Sequence, residues 1–217
     1  MSTSQLELYN LSLAMLGARK LGSLSEQREP RRLLDDQWDA RGRRYCLEQG
    51  QWNFATRSAR LEYSPSVEPP WGLRFAFDKP TDWVRTVALC SDERFNVPLL
   101  ASECSDEAGF WFSDLQIIYV RYVSDDDAFG LDYSLWPETF TQWVAAYLAL
   151  KIASTLTADK DLVATLKKDA RRLLVDARSK DGMNQGTDFP PPGSWVNARA
   201  GRSGRRWDRG NRGSLIG

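Results

Sequence analysis

Apolar positions recur along this chain with two different periods, and the period changes near Trp52. Ser4 followed three residues later by Glu7 has the form of a capping box and opens a helix. Leu6, Tyr9, Leu13 and Leu16 form one stripe along it, and Leu8, Leu11 and Met15 a second. The wide apolar face suits a helix packed on two sides, and Gly17 is a natural stop. Pro30 occupies the place of a first-turn proline. The next stretch, 31–49, carries Leu34, Trp38 and Tyr45 on one face and ends at Gly50. Gly42 inside it costs about 1 kcal/mol relative to Ala, so it marks a weak point or a close contact.

After Gln51-Trp52-Asn53-Phe54-Ala55 the pattern shortens, and prolines at 65, 69 and 70 break the chain. Residues 74–77 and 83–89 read as short strands separated by the turn Asp78-Lys79-Pro80-Thr81-Asp82. Phe95-Asn96-Val97 reads as another strand. Phe110-Trp111-Phe112 and 115–123 read as a hairpin turning at Ser113-Asp114. Trp136-Pro137-Glu138 opens a third helix. Its stripe is Phe140, Trp143, Val144, Tyr147, Leu148 and Ile152, and its alanines at 145, 146, 149 and 153 allow close packing. Thr157 or Asp159 caps a fourth helix, with Leu162, Leu166, Leu173 and Leu174 on one face.

This order predicts an α+β protein: a four-helix bundle with an inserted small antiparallel β region and an extended C-terminal arm. The expected boundaries are 1–55 for the first helical pair, 56–128 for the β region, 129–183 for the second helical pair and 184–217 for the arm. Trp52 and Phe54 are expected to be core residues closing the helix-to-strand junction.

Charge changes the picture only at the end of the chain. The 217 residues are neutral overall, with 29 basic and 29 acidic side chains. Residues 184–217 nevertheless hold six arginines against Asp188 and Asp208, so that segment is +4 and the rest −4. Its FPPPGSWVNARAGRSGRRWDRGNRG run cannot bury enough apolar surface to offset its ordering entropy alone. The composition fits three readings: an arm for nucleic-acid backbones, an arm for an acidic groove on a protein, or a disordered solubilising tail.

There is no histidine, which removes the commonest general base, the commonest transition-metal ligand and the Ser-His and Cys-His nucleophile pairs. Cys46, Cys90 and Cys104 lack metal-ligand spacing and read as reduced, buried thiols. Asp125-Asp126-Asp127 has no second ligand cluster beside it and reads as a solvated loop or a helix-start cap. Neither a Walker pattern nor a dinucleotide fingerprint is present. No hydrophobic run approaches transmembrane length, and the N-terminus does not read as a signal peptide. The expectation is a non-enzyme with no catalytic residue, no cofactor, no metal and no membrane partner. A tail-associated hydrolase would need a carboxylate pair that sequence spacing does not reveal.

Several stretches together carry a resemblance. LYNLSLAMLGARKLGSL, a long Arg-rich helix and QWNFATRSARL resemble the start of podovirus head-to-tail connector adaptors, the tail tubular protein A-like family. RFAFDKPTDWVRTVAL is similar to that family's aromatic strand, Pro-x-Asp turn and following strand. IIYVRYVSDDDAF and LWPETFTQWVAAYLALKIASTLT are similar to its second half, and SWVNAR to a tail motif. The resemblance covers most of the chain and implies a structural virion protein of the head-tail junction, assembled in the host cytoplasm. It implies a homo-oligomeric ring, usually of twelve copies, between a portal and a tail or nozzle protein. Double-stranded DNA passes through the lumen of such a ring. By the same analogy the helices form the ring body, the sheet region projects toward the tail and the arm reaches the portal. Trp195, Arg199, Arg202 and Trp207 are then the expected portal anchors. The alternative from another class is a nucleic-acid-binding module that uses the arginine arm.

Overall fold

The computed structural model describes residues 4–69, 72–157 and 159–184. Helix α1 (Gln5–Met15) begins with the expected reciprocal cap. Ser4 Oγ accepts from the Glu7 N–H and Glu7 Oε2 accepts from the Ser4 N–H, which satisfies two donors that a helix start leaves open. Gly17 follows with φ +66°, a conformation that favours glycine. Leu8, Tyr9 and Leu13 are fully buried.

The second predicted helix is interrupted. Helix α2 (Glu29–Gln37) runs into a π-helical turn, Trp38–Gly42, before α3 (Arg43–Glu48). The wider turn accommodates one extra residue and advances the helix face by one position. Trp38 stays inside, but Cys46 and Leu47 then point inward and Tyr45 is left 43% exposed. Tyr45 stacks instead on Tyr147 at 5.0 Å.

A 3₁₀ turn (Asn53–Ala55) leads into six strands: β1 (Thr56–Glu62), β2 (Phe75–Asp78), β3 (Trp83–Cys90), β4 (Cys104–Glu107), β5 (Phe110–Ser113) and β6 (Ile117–Ser124). They form two antiparallel sheets of three strands, ordered β1-β6-β3 and β2-β5-β4. Helices α4 (Glu138–Leu156) and α5 (Lys160–Met183) complete the described fold.

The expected four-helix bundle with a small β insertion is therefore corrected. The described residues form a mixed α/β fold with five α-helices and two three-stranded antiparallel sheets. The reason lies in β5 and β6, which read as a hairpin from the sequence. Each is instead the central strand of its own sheet, because each has apolar residues to bury and needs a neighbour on both edges. The two sheets share one apolar layer of Phe77, Trp111, Ile118, Val120 and Tyr122. The strands on either side of residues 78–82 also part, β2 to one sheet and β3 to the other. The hairpin that does form is β4-β5, whose turn residues Ala108 and Gly109 both have positive φ. Phe95-Asn96-Val97 is no strand, since Phe95 has φ +59°. The arm expected over 184–217 lies, beyond Asn184, outside the described residues.

A second core joins the helices to the sheet β1-β6-β3. Helix α4 packs against α1, α2 and α5. Trp52 is buried in this core, edge-on to Phe140 at 4.7 Å and stacked on Trp143 at 5.9 Å. Its indole N–H donates to the Cys46 carbonyl at 3.2 Å, so the ring's polar edge is satisfied inside the core. The ladder of β3 is irregular at Val84 and Val87, and these two residues reach the helical core. Bulges here re-aim side chains from the sheet toward the helices.

Candidate functional site

Two surfaces combine exposed apolar groups with a fixed backbone. The first is an open groove of about 380 Å³ between α1 and the start of α4. Leu11 and Ala14 line it, with Glu7, Glu138 and Lys20 among its polar residues. Leu11 was assigned to a buried stripe by spacing but is 38% exposed, because among the described residues α1 packs through the face that carries Leu8, Tyr9 and Leu13. The loop after α1 is held by Asn10, whose side chain accepts from the Leu21 N–H at 2.7 Å and donates to the Leu21 carbonyl at 3.1 Å.

The second surface is the loop from Ser91 to Glu103. Asp92 accepts the N–H groups of Asn96 (3.1 Å) and Val97 (2.8 Å), and these bonds hold its carboxyl below the usual range. The Ser91 N–H donates to the Val97 carbonyl at 3.1 Å. The guanidinium of Arg121 lies 4.1 Å from the centre of the Phe95 ring. The loop therefore presents Val97 and Leu100, 55% and 63% exposed, from a tied backbone. Exposed apolar side chains on an ordered loop suit contact with another macromolecule.

Several ionisable groups in and beside the sheets are engaged in structural bonds. Asp82 accepts from Arg57 (3.0 Å), Ser124 (2.5 Å) and Tyr122 (3.2 Å to each oxygen). Burial pushes its pKa up, but the bonds from Ser124 and Arg57 outweigh that and leave it below the ordinary value. Tyr122 is pushed up to about 12, by burial first and by the Asp82 charge second. Asp125 pairs with Arg44 at 3.7 Å, and Asp126 caps the next turn by accepting the Ala128 N–H at 2.8 Å. Among the described residues, no three His, Cys, Asp or Glu side chains are placed to hold a metal ion. Cys46 and Cys90 are buried, Cys104 is half-buried and all three are free, with burial raising each thiol's pKa.

Of the residues singled out from the sequence, Trp52 and Phe54 do sit at the helix-to-strand junction, in contact with Phe140. Trp195, Arg199, Arg202 and Trp207 lie outside the described residues. Spacing gave no sign of the exposed loop. Its signal is local: Asp92 lies four and five residues before the amides it caps, a pattern of loop chemistry rather than of period. No protein-family model matches the chain, and no curated protein aligns with it.

Proposed function

We propose that this chain is a structural protein of a phage virion, a head-to-tail adaptor that forms a ring between portal and tail or nozzle and surrounds the DNA channel. The observation that carries the reading is the order of the stretches resembling the tail tubular protein A-like family. The first lies in α1 and the loop after it, the next at the 3₁₀ turn and β1, and the last in α4. Tyr9 and Leu13, Trp52 and Phe54, and Phe140 and Trp143 from these three stretches lie in or against one core, so the resemblance concerns a folding unit rather than scattered matches.

A closed ring of identical subunits needs two different surfaces that meet head to tail. The α1-α4 groove and the Val97-Leu100 loop are two such surfaces, with unlike shapes. In this reading Trp195, Arg199, Arg202 and Trp207 anchor the arm to the portal.

The test is sedimentation and mass of the purified protein, alone and mixed with its cognate portal ring. A discrete ring-sized complex with portal supports the adaptor. Indifference to portal together with binding of short duplex DNA in low salt replaces it with a nucleic-acid module using the arginine arm. Removal of 189–217 is expected to leave a folded helical protein that no longer joins the portal, and full binding by that truncation sinks the assignment of the anchors.

A further inference from the structure

Helix α5 carries seven basic and four acidic residues, and five of the seven basic ones share one face. At about 100° of turn per residue, Lys160, Lys167, Lys168, Arg171 and Arg178 fall within about 100° of arc. All five are exposed. Asp161, Asp169 and Asp176 fall on roughly the next 80° of arc, where Asp169 pairs with Arg172 at 3.2 Å. The fourth acid, Asp181, is buried. From Lys160 to Arg178 the basic strip rises 18 steps, about 27 Å at 1.5 Å per residue.

None of the five cations has a hydrogen bond, ion pair or ring contact among the described residues. Elsewhere in the fold Arg31, Arg43, Arg44, Arg57 and Lys79 have carboxylate partners and Arg41, Arg74 and Arg94 have none among the described residues, so what sets the α5 cations apart is their alignment along one helix face. We infer that the α5 strip is a binding surface for the phosphodiester backbone of duplex nucleic acid, with these five side chains as phosphate contacts and no base readout.

The composition of the strip selects this partner. Protein interfaces are depleted in Lys and enriched in aromatics, yet three of the five cations are Lys and Val175 is the one large apolar side chain exposed beside them. A membrane-surface helix would need an apolar face to insert, and the apolar face of α5 is turned to α4 and the core. A spaced row of unpaired cations matches a row of phosphates and releases counterions on binding. In sequence, the next segment of the chain, 185–217, has six arginines against two aspartates.

The test is fluorescence anisotropy of a 24-base-pair duplex with the full chain over a salt series. Lys167→Gln/Arg171→Gln/Arg178→Gln is compared with Lys151→Gln/Arg172→Gln/Lys180→Gln, which removes the same charge away from the strip. The first triple is expected to lose affinity on the order of a hundredfold near 0.1 M salt and to flatten the log–log salt slope by about 2.7, at 0.9 per contact. The second triple should stay within a few-fold of the parent. Lys160→Gln/Lys168→Gln, which leaves the first triple's positions intact, should flatten the slope by about 1.8. Equal losses in both triples, or no loss in either, would overturn the assignment. So would poly-glutamate displacing the duplex at equal charge concentration, which would make the strip a site for an acidic protein. Portal binding is a separate readout: its failure leaves the duplex result standing, and the reverse holds too.

Discussion

The carboxylate of Asp181 receives the backbone N–H of Asn53 on both oxygens, at 3.2 and 3.1 Å, while the Asn53 side chain donates to the Asp181 carbonyl at 2.7 Å. The two residues are 128 positions apart, and the clasp ties the last turn of α5 to the junction between helices and sheet. Burial holds the Asp181 carboxyl above its ordinary pKa, and the bond from Asn53 only partly opposes this. Replacement by Ala removes the carboxylate that accepts from the half-buried Asn53 N–H and is expected to cost about 1–3 kcal/mol. Asp181→Asn keeps an acceptor and removes the buried charge. Because the folded pKa is raised, the parent is most stable relative to Asp181→Asn below the ordinary carboxylate pKa. That advantage disappears as pH rises through the folded value. Urea unfolding of both proteins between pH 3.5 and 7 reads this directly.

Asp82 should behave with the opposite sign. Its folded pKa is lowered, so the stability it contributes is present above the ordinary carboxylate pKa and is lost as pH falls through the folded value. Asp82→Asn is expected to destabilise by about 1–3 kcal/mol at neutral pH, since Arg57, Tyr122 and Ser124 lose a charged acceptor. The difference from the parent should shrink on acidification. A gap that is constant with pH would show that Asp82 acts only through its shape.

Helices α1 and α4 were legible because their signals are local: a reciprocal cap for one, and for the other a dense stripe of large residues behind alanines. Strand pairing was not, because it is a choice among distant partners. Strand β1, TRSARLE, shows little but polar alternation until β6 lies beside it, and β4, CSDE, has no apolar pattern at all. The cationic strip was hidden by counting charge along the chain, where α5 and the acidic body average out. It emerges only when charge is sorted by angle around the helix. The π turn hid for a similar reason, since an unbroken 3.6-residue period places Tyr45 inside and one added residue moves it out.

That turn makes Gly42 a sensitive position. A Cβ there would stand 2.4 Å from the Gln37 carbonyl oxygen and 3.3 Å from the Trp38 ring. Ala ordinarily gains about 1 kcal/mol over Gly inside a helix. The neighbour here is backbone and cannot step aside like a flexible side chain, so the clash should prevail. Gly42→Ala is expected to lower stability by about 1–3 kcal/mol and to alter the fluorescence of Trp38. An unchanged or raised urea midpoint would mean that the wide turn relaxes to an ordinary helix at no cost.

The two sheets are joined by a polar cluster at Lys79. Its ammonium lies 3.9 Å from the centre of the Trp83 ring and 5.4 Å from that of Trp111, and it pairs with Asp106. Asp106 Oδ2 also accepts from Thr86 at 2.9 Å and from the Trp111 indole at 3.1 Å. Trp83 and Thr86 belong to one sheet, Asp106 and Trp111 to the other. Lys79 is 9% exposed, so it depends on this company, whereas Asp106 is 42% exposed and its charge is screened by solvent. Asp106→Ala should therefore cost about 1–2 kcal/mol, mainly from the Thr86 hydroxyl and the Lys79 ammonium that lose their acceptor, since the Trp111 indole keeps Thr86 Oγ1 at 3.0 Å. Lys79→Met keeps the packing of the stem and should cost less. The edge-on Trp83–Trp111 pair gives each variant a spectral marker. Near-ultraviolet circular dichroism should change strongly in Asp106→Ala and weakly in Lys79→Met, and the reverse order would make the cation, not the carboxylate, the link between the sheets.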